Sequence, residues 1–167
     1  PEREAQVIDG LKAVNAGPLG TDSVAPIWRE IMSACRALET PTRVAYLGPA
    51  GTFSEEAALG YFGSSIVRVQ CASVDEVFHM TSSGAADFGV VPVENSNEGV
   101  VTRTLDIFLT TPLFIIGETS LFVRQNLLRK DNSLEGIAAV CAHPQALAQC
   151  HGWLSMHLPH AERRPVS

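Results

Sequence analysis

From residue 43 onward, short apolar runs alternate with segments of helical periodicity. Runs separated in this way form βαβ units, whose strands lie parallel in one sheet. The sequence therefore predicts an α/β fold for residues 43–167. The predicted strands are 43–47, 66–71, 88–93, 113–116, 119–123, 138–142 and 163–167, and the predicted helices are 52–62, 74–80, 100–109 and 144–158.

Residues 1–40 have a different pattern, that of two amphipathic helices. Val7, Leu11 and Val14 follow the i, i+4, i+7 spacing of one helix face. Residues 21–23 offer capping oxygens for a second helix, with Pro26 in its first turn. We expect two antiparallel helices joined to the α/β part by a short linker. The apolar face of the second helix consists of Ile27, Ile31, Met32, Cys35 and Leu38.

Composition excludes several classes of protein. Hydrophobic residues make up 46% of the chain and charged residues 18%, which favours a globular core over disorder. The 18 acidic and 12 basic side chains give a net charge of −6, which argues against nucleic acid as a partner. No apolar run is long enough to span a membrane, and the first residues do not resemble a signal peptide. We expect a soluble, cytoplasmic chain.

The four cysteines, at 35, 71, 141 and 150, are widely spaced. They form no C-x-x-C pair and no Cys/His array with the spacing of zinc ligands. The sequence therefore predicts reduced thiols and no metal site.

Polar residues follow three of the predicted strands, where ligands bind in an open α/β sheet. The first junction is 48–54, Gly-Pro-Ala-Gly-Thr-Phe-Ser, and it lacks the lysine of a nucleotide phosphate loop. The second is 92–99, Pro-Val-Glu-Asn-Ser-Asn-Glu-Gly, and the third is His143-Pro144-Gln145. Together they favour a small anionic ligand bound without metal, cofactor or nucleotide.

Each junction also has a purely structural interpretation. Thr52 or Ser54 could cap a helix, Asn95 and Ser96 could form a turn, and His143 could cap the helix that follows it. The sequence leaves these alternatives open.

The same three segments resemble, in order and spacing, the successive motifs of the prephenate dehydratase family. The matching stretches are 44–54, 89–96 with Gly99, and 143–150. The resemblance implies two α/β lobes like those of a periplasmic binding protein, with the active site in the cleft between them. It implies that the chain crosses between lobes near 92–96 and returns near Ser167.

By this resemblance the reaction is the cofactor-free conversion of prephenate to phenylpyruvate. We expect Thr52, Ser54, Asn95 and Ser96 to supply hydroxyl and amide donors and Glu94 to orient the substrate or act as an acid. Three further residues, Gly51, His143 and Gln145, are expected to contact the substrate.

Residues 1–40 resemble the last two helices of an all-helical chorismate mutase fused in front of such a dehydratase, with the dehydratase domain at 43–167. The resemblance places Arg3 and Glu4 at the substrate's carboxylate and hydroxyl, and Cys35 and Glu39 at facing positions of the next helix. The alternative is an exposed helix face. A homodimer is implied for the parent protein, with prephenate and chorismate as its substrates.

The chain begins without a methionine and contains no Thr-Arg-Phe triplet, a motif of the dehydratase family. We therefore expect a truncated dehydratase domain and a fragment that is inactive alone. A rival hypothesis is a non-catalytic, two-lobed module that binds a small anion, because the same architecture also serves solute receptors.

Overall fold

The computed structural model describes residues 2–95 and 99–166, except for the side chain of Glu2. The chain divides after Leu121 into two compact units. Within the described residues, no helix is both long and apolar enough to cross a membrane.

The first unit begins with two helices that pack against each other, α1 (Glu2–Val14) and α2 (Thr21–Glu39). The predicted start of α2 is wrong in detail. The N-cap is Gly20, whose carbonyl accepts a hydrogen bond from the Ser23 N–H at 2.9 Å, so the helix begins at Thr21 and Pro26 lies inside it. Because Pro26 has no N–H, it donates no helical hydrogen bond to the carbonyl of Asp22, an exposed residue of the first turn.

A three-stranded parallel sheet follows, which confirms the α/β prediction. Strands β1 (Arg43–Leu47), β2 (Val67–Cys71) and β3 (Phe88–Val90) lie in the order β2-β1-β3. Helix α3 (Phe53–Phe62) connects β1 to β2, and α4 (Val74–Ser82) connects β2 to β3.

The central strand β1 divides the core between the two faces of the sheet, because successive side chains of a strand point to opposite sides. Val44 and Tyr46 pack with Ala58 and Phe62 of α3. Ala45 packs with Cys71, Val77 and Ala86 on the side of α4. The sheet therefore carries α3 on one face and α4 on the other.

Beyond β3 the strand predicted over 88–93 is too long, whereas the helix predicted over 100–109 is present but begins two residues later. The sheet ends at Val90, and a small antiparallel ribbon forms from β4 (Glu94–Asn95) and β5 (Gly99–Val100). The Val101 N–H donates to the Val93 carbonyl at 2.8 Å, which extends the ribbon to Val101. Helix α5 (Thr102–Phe108) therefore begins only after this residue. Residues 96–98, which include the predicted site residue Ser96, lie outside the described part of the chain.

Predicted strands at 113–116 and 119–123 are also wrong. Both segments are irregular, and Phe114, Ile115 and Phe122 are exposed. A strand requires hydrogen bonds to a neighbouring strand, and the described residues provide none for these segments. Apolar composition alone therefore gave the wrong secondary structure here.

The second unit, from Phe122, contains two parallel strands and two short helices. Strand β6 (Ala139–Ala142) pairs with β7 (Glu162–Pro165), and α6 (Pro144–Gln149) and α7 (His151–His157) connect them. Val140, Leu154, Leu158 and Ala161 form their core. The helix predicted over 144–158 is interrupted at Cys150, beside Gly152, a residue of low helix propensity.

Candidate active site

The first junction, between β1 and α3, depends on the backbone conformation of two glycines. Gly51 has a φ of +84°, in the left-handed region that favours glycine. Gly48 precedes a cis peptide bond to Pro49, and a Cβ on Gly48 would lie 2.4 Å from Cγ of Gln70 on β2. A larger residue at position 48 would therefore require the Gln70 side chain to move.

A buried carboxylate, that of Glu55 in the first turn of α3, holds this loop. It accepts a hydrogen bond from the Gly51 N–H at 2.6 Å and one from Nη1 of Arg68 on β2 at 2.8 Å. The Tyr46 hydroxyl lies 3.5 Å from the same carboxylate. The Gly51 N–H, followed by Arg68, lowers the pKa of Glu55 from its ordinary value, so the carboxylate is ionised at neutral pH. Burial and the charge of Glu55 raise the pKa of Tyr46, which keeps the phenol protonated.

Sequence reasoning missed Glu55. A signal was present, because Thr52-Phe53-Ser54-Glu55 has the S/T-x-x-E spacing of a capping box, in which the glutamate folds back onto the residues that precede the helix. Here Glu55 reaches the N–H of Gly51, one residue before the N-cap Thr52.

Thr52 is the N-cap residue of α3, but its side chain does not make the expected capping bond. Its hydroxyl instead donates to the Leu47 carbonyl at 3.0 Å, which ties the loop to the end of β1. Thr52, Gly51 and Glu55 line an open cavity of about 480 Å³. Ser54 is half-buried and is not among the lining residues. The remaining lining residues are Glu30, Glu56, Leu59 and Gly60.

The second junction leaves the sheet at the same edge as the first, because β1 and β3 are parallel neighbours. Glu94 is exposed and Asn95 is half-buried, and both lie in the β4–β5 ribbon. The structure thus places the residues after β1 and β3 at one edge, as the sequence predicts for a ligand site.

The third junction belongs to the second unit. His143 is the N-cap of α6, and its Nδ1 accepts a hydrogen bond from the Gln145 N–H at 3.3 Å, with Pro144 at the first helical position. The capping interpretation of His143 is therefore what the structure shows. Gln145 is half-buried beside it.

The four residues assigned to a mutase site lie on α1 and α2. Arg3, Cys35 and Glu39 are exposed. Glu4 is half-buried and forms an ion pair with Nη1 of Arg36, which brings the two helices together at this point. Across the described residues, no group of three or more His, Cys, Asp or Glu side chains could hold a metal ion.

A parallel sheet with polar residues after neighbouring strands defines an α/β domain suited to binding a small polar ligand. Comparison with known proteins identifies the family to which this domain belongs. The chain belongs to the prephenate dehydratase family, whose family model matches residues 44–167. A second model, described as chorismate mutase type II, matches residues 1–40. The resemblance inferred from the motifs is confirmed.

Similar proteins contain both segments. Proteins named bifunctional chorismate mutase/prephenate dehydratase from Neisseria gonorrhoeae and Pseudomonas aeruginosa are 49% and 48% identical over 168 residues, which is 100% of this chain and 46% of each relative. The chain thus spans about half the length of these relatives. The crystal structure of a prephenate dehydratase in complex with L-Phe from Arthrobacter aurescens is 34% identical, with a TM-score of 0.51, and the match covers 74% of this chain and 42% of that one.

Proposed function

We propose that the protein carrying this chain is a bifunctional enzyme that converts chorismate to prephenate and prephenate to phenylpyruvate, in phenylalanine biosynthesis. One observation supports this above all others. The two family matches occur on one chain, in the order of relatives named for both activities, at 48–49% identity over its whole length. No comparable observation favours the non-catalytic binding module.

The dehydratase step requires little from the protein. The C–OH bond breaks and the C–CO₂ bond breaks, water and carbon dioxide leave, and the electron pair of the C–C bond completes the aromatic ring. The enzyme needs only a proton donor for the departing hydroxyl and contacts that orient the carboxylate. Positioning these groups correctly lowers the activation barrier, so the step needs no cofactor.

We assign the donor role to hydroxyls and amides after β1 and β3. Thr52 lines the cavity at the first junction, in a loop held by Gly51 and Glu55. Ser54, Asn95 and Ser96 are proposed as further donors, and Glu94 as the residue that orients or protonates the substrate. His143 and Gln145 are proposed as substrate contacts, with Gly51 providing room for close approach of its backbone.

The finer architecture is also a proposal. We infer a dehydratase domain over 43–167 with two lobes of the periplasmic-binding-protein type, preceded over 1–40 by the last two helices of a chorismate mutase. The packing of α1 on α2 and the parallel sheet of the first unit support this division.

For the mutase we propose that Arg3 and Glu4 bind the carboxylate and hydroxyl of chorismate, and that Cys35 and Glu39 contact it from α2. A cytoplasmic homodimer acting on these small molecules is the proposed state of the parent protein. Exposed apolar side chains on α2, Ile27, Ile31 and Leu38, are consistent with a further helical partner.

Two assays on a protein spanning the full length of its relatives test the function. Chorismate consumption measures the mutase, and phenylpyruvate formation from prephenate measures the dehydratase. Turnover of both substrates is expected. Binding of prephenate by calorimetry with no phenylpyruvate formed would instead support the binding module.

A further inference from the structure

Helix α2, in the segment matched by the mutase model, is hydrogen-bonded to the dehydratase segment. The Glu30 carboxylate accepts the backbone N–H of Ser64 at 3.1 Å and the Ser64 hydroxyl at 2.5 Å. The buried hydroxyl of Ser33 accepts the N–H of Ser65 at 3.3 Å. These contacts fix α2 on the turn between α3 and β2.

The packing at this turn leaves no room for a side chain. Gly63 has a φ of +87°, and a Cβ at that position would lie 2.4 Å from Cβ of Ser33 and 3.3 Å from the Arg29 carbonyl oxygen. Since both neighbours belong to α2, the helix rests directly on the backbone of the turn. A side chain at position 63 would therefore push α2 away from the turn.

A single guanidinium, that of Arg36, connects this interface to α1. Its Nη2 donates to the Phe62 carbonyl at 3.2 Å in the dehydratase segment, and its Nη1 is paired with the Glu4 carboxylate. The rigid fork of an arginine can hold two acceptors in a fixed relation, which lysine cannot.

We propose that Arg36 is a positioning residue of the mutase site, which orients Glu4 and is itself set in place by the dehydratase segment. This inference rests on the proposed mutase function, in which Glu4 binds chorismate. It makes the mutase site dependent on residues 62–65, which lie outside the segment matched by the mutase model.

The first test changes only the dehydratase segment of the full-length protein. Gly63→Ala should displace α2 and lower kcat/KM for chorismate by about tenfold, since small misplacements of substrate-positioning groups have large effects. Gly84→Ala is the matched control, because Gly84 also has a positive φ, +74°, but a Cβ there would have nothing within 4 Å. Equal mutase efficiency in the two variants would overturn the proposal.

The second test changes Arg36 itself. Arg36→Leu should raise KM for chorismate more than it lowers kcat, because Glu4 loses its partner. Arg36→Lys should recover part of the loss, since a single ammonium can pair with Glu4 but cannot also hold the Phe62 carbonyl. A purely structural role predicts that kcat/KM follows the melting temperature across the two variants, and a wild-type kcat/KM for Arg36→Leu would refute the assignment.

Hydrogen exchange on the same variants separates this inference from the mutase function itself. Gly63→Ala should speed amide exchange in α1 as well as α2, whereas Gly84→Ala should leave α1 unchanged. If the wild-type protein does not turn over chorismate, the mutase proposal fails, and faster exchange in α1 would still support the connection through Arg36. Unchanged exchange in α1 of Gly63→Ala would overturn that connection.

Discussion

The carboxylate of Glu55 accepts a hydrogen bond from the Gly51 N–H at 2.6 Å, across the turn that joins the central strand to α3. Gly51 has the left-handed φ that lets its N–H point back into the loop toward this carboxylate. Because Arg68 of β2 binds the same carboxylate, the turn is connected to two strands at once. The cavity wall that contains Thr52 is therefore fixed by a charged residue that the sequence motifs did not single out.

Replacing Glu55 with Gln tests this anchor. The amide keeps the shape of the carboxylate, but it turns one charge-assisted acceptor into a donor and loses its ion pair with Arg68. We expect a lower melting temperature and about tenfold slower dehydratase turnover, since the loop that positions Thr52 loosens. Glu135→Gln, a change at an exposed carboxylate outside this cavity, is the control and should match wild type. Equal behaviour of the two variants would show that Glu55 does not hold the loop.

The lowered pKa of Glu55 predicts a particular acid sensitivity. A carboxylate whose folded pKa lies below its unfolded value stabilises the fold above the ordinary value of 4.5, and this contribution is lost as pH falls through the lowered pKa. In an NMR titration, the Gly51 amide should shift with a midpoint below 4.5. The transition should vanish in Glu55→Gln, and a midpoint at or above 4.5 would contradict the hydrogen bond.

Local pattern was sufficient for β1, whose predicted and observed limits, 43–47, are the same. Its apolar run ends at a Gly-Pro turn. A parallel strand buried on both faces is a continuous apolar run, so this pattern alone predicts it. Glu55 could not be predicted in the same way, because a glutamate in a first helical turn is ordinarily solvated. Its burial depends on Arg68, 13 residues away on another strand. The strands predicted around Phe114 and Phe122 are wrong for a related reason. A strand needs a partner strand, and amino-acid composition does not reveal whether one is present.

Glu39 predicts an unusual pH dependence for the mutase. If it faces the ether oxygen of chorismate, only the protonated acid can donate a hydrogen bond there. Mutase turnover should therefore rise as the pH falls from about 8 into the acidic range. Glu39→Gln, which donates at any pH, should remove that rise and increase activity at pH 8. A pH profile unchanged by the substitution would place Glu39 on an exposed helix face, outside the site.

The last prediction concerns Thr52, whose hydroxyl donates to the Leu47 carbonyl at 3.0 Å in this structure. Thr52→Val keeps the shape of the side chain and removes the hydroxyl, whereas Thr52→Ser keeps the hydroxyl. If the hydroxyl assists departure of water, the valine variant should lose roughly 10²–10⁴-fold in dehydratase kcat, and serine should restore most of it.

A structural role gives a different result, and stability separates the two. Losing only the bond to Leu47 should lower the free energy of unfolding by about 1 kcal/mol in Thr52→Val. The effect on turnover should then be no larger than that of other substitutions that loosen the loop, such as Glu55→Gln. If Thr52→Val loses only about 1 kcal/mol of stability but nearly all dehydratase activity, with mutase activity intact, the hydroxyl takes part in the reaction. A valine variant that retains normal turnover makes Thr52 a loop anchor and moves the search for the proton donor to the residues after β3, Glu94 and Asn95.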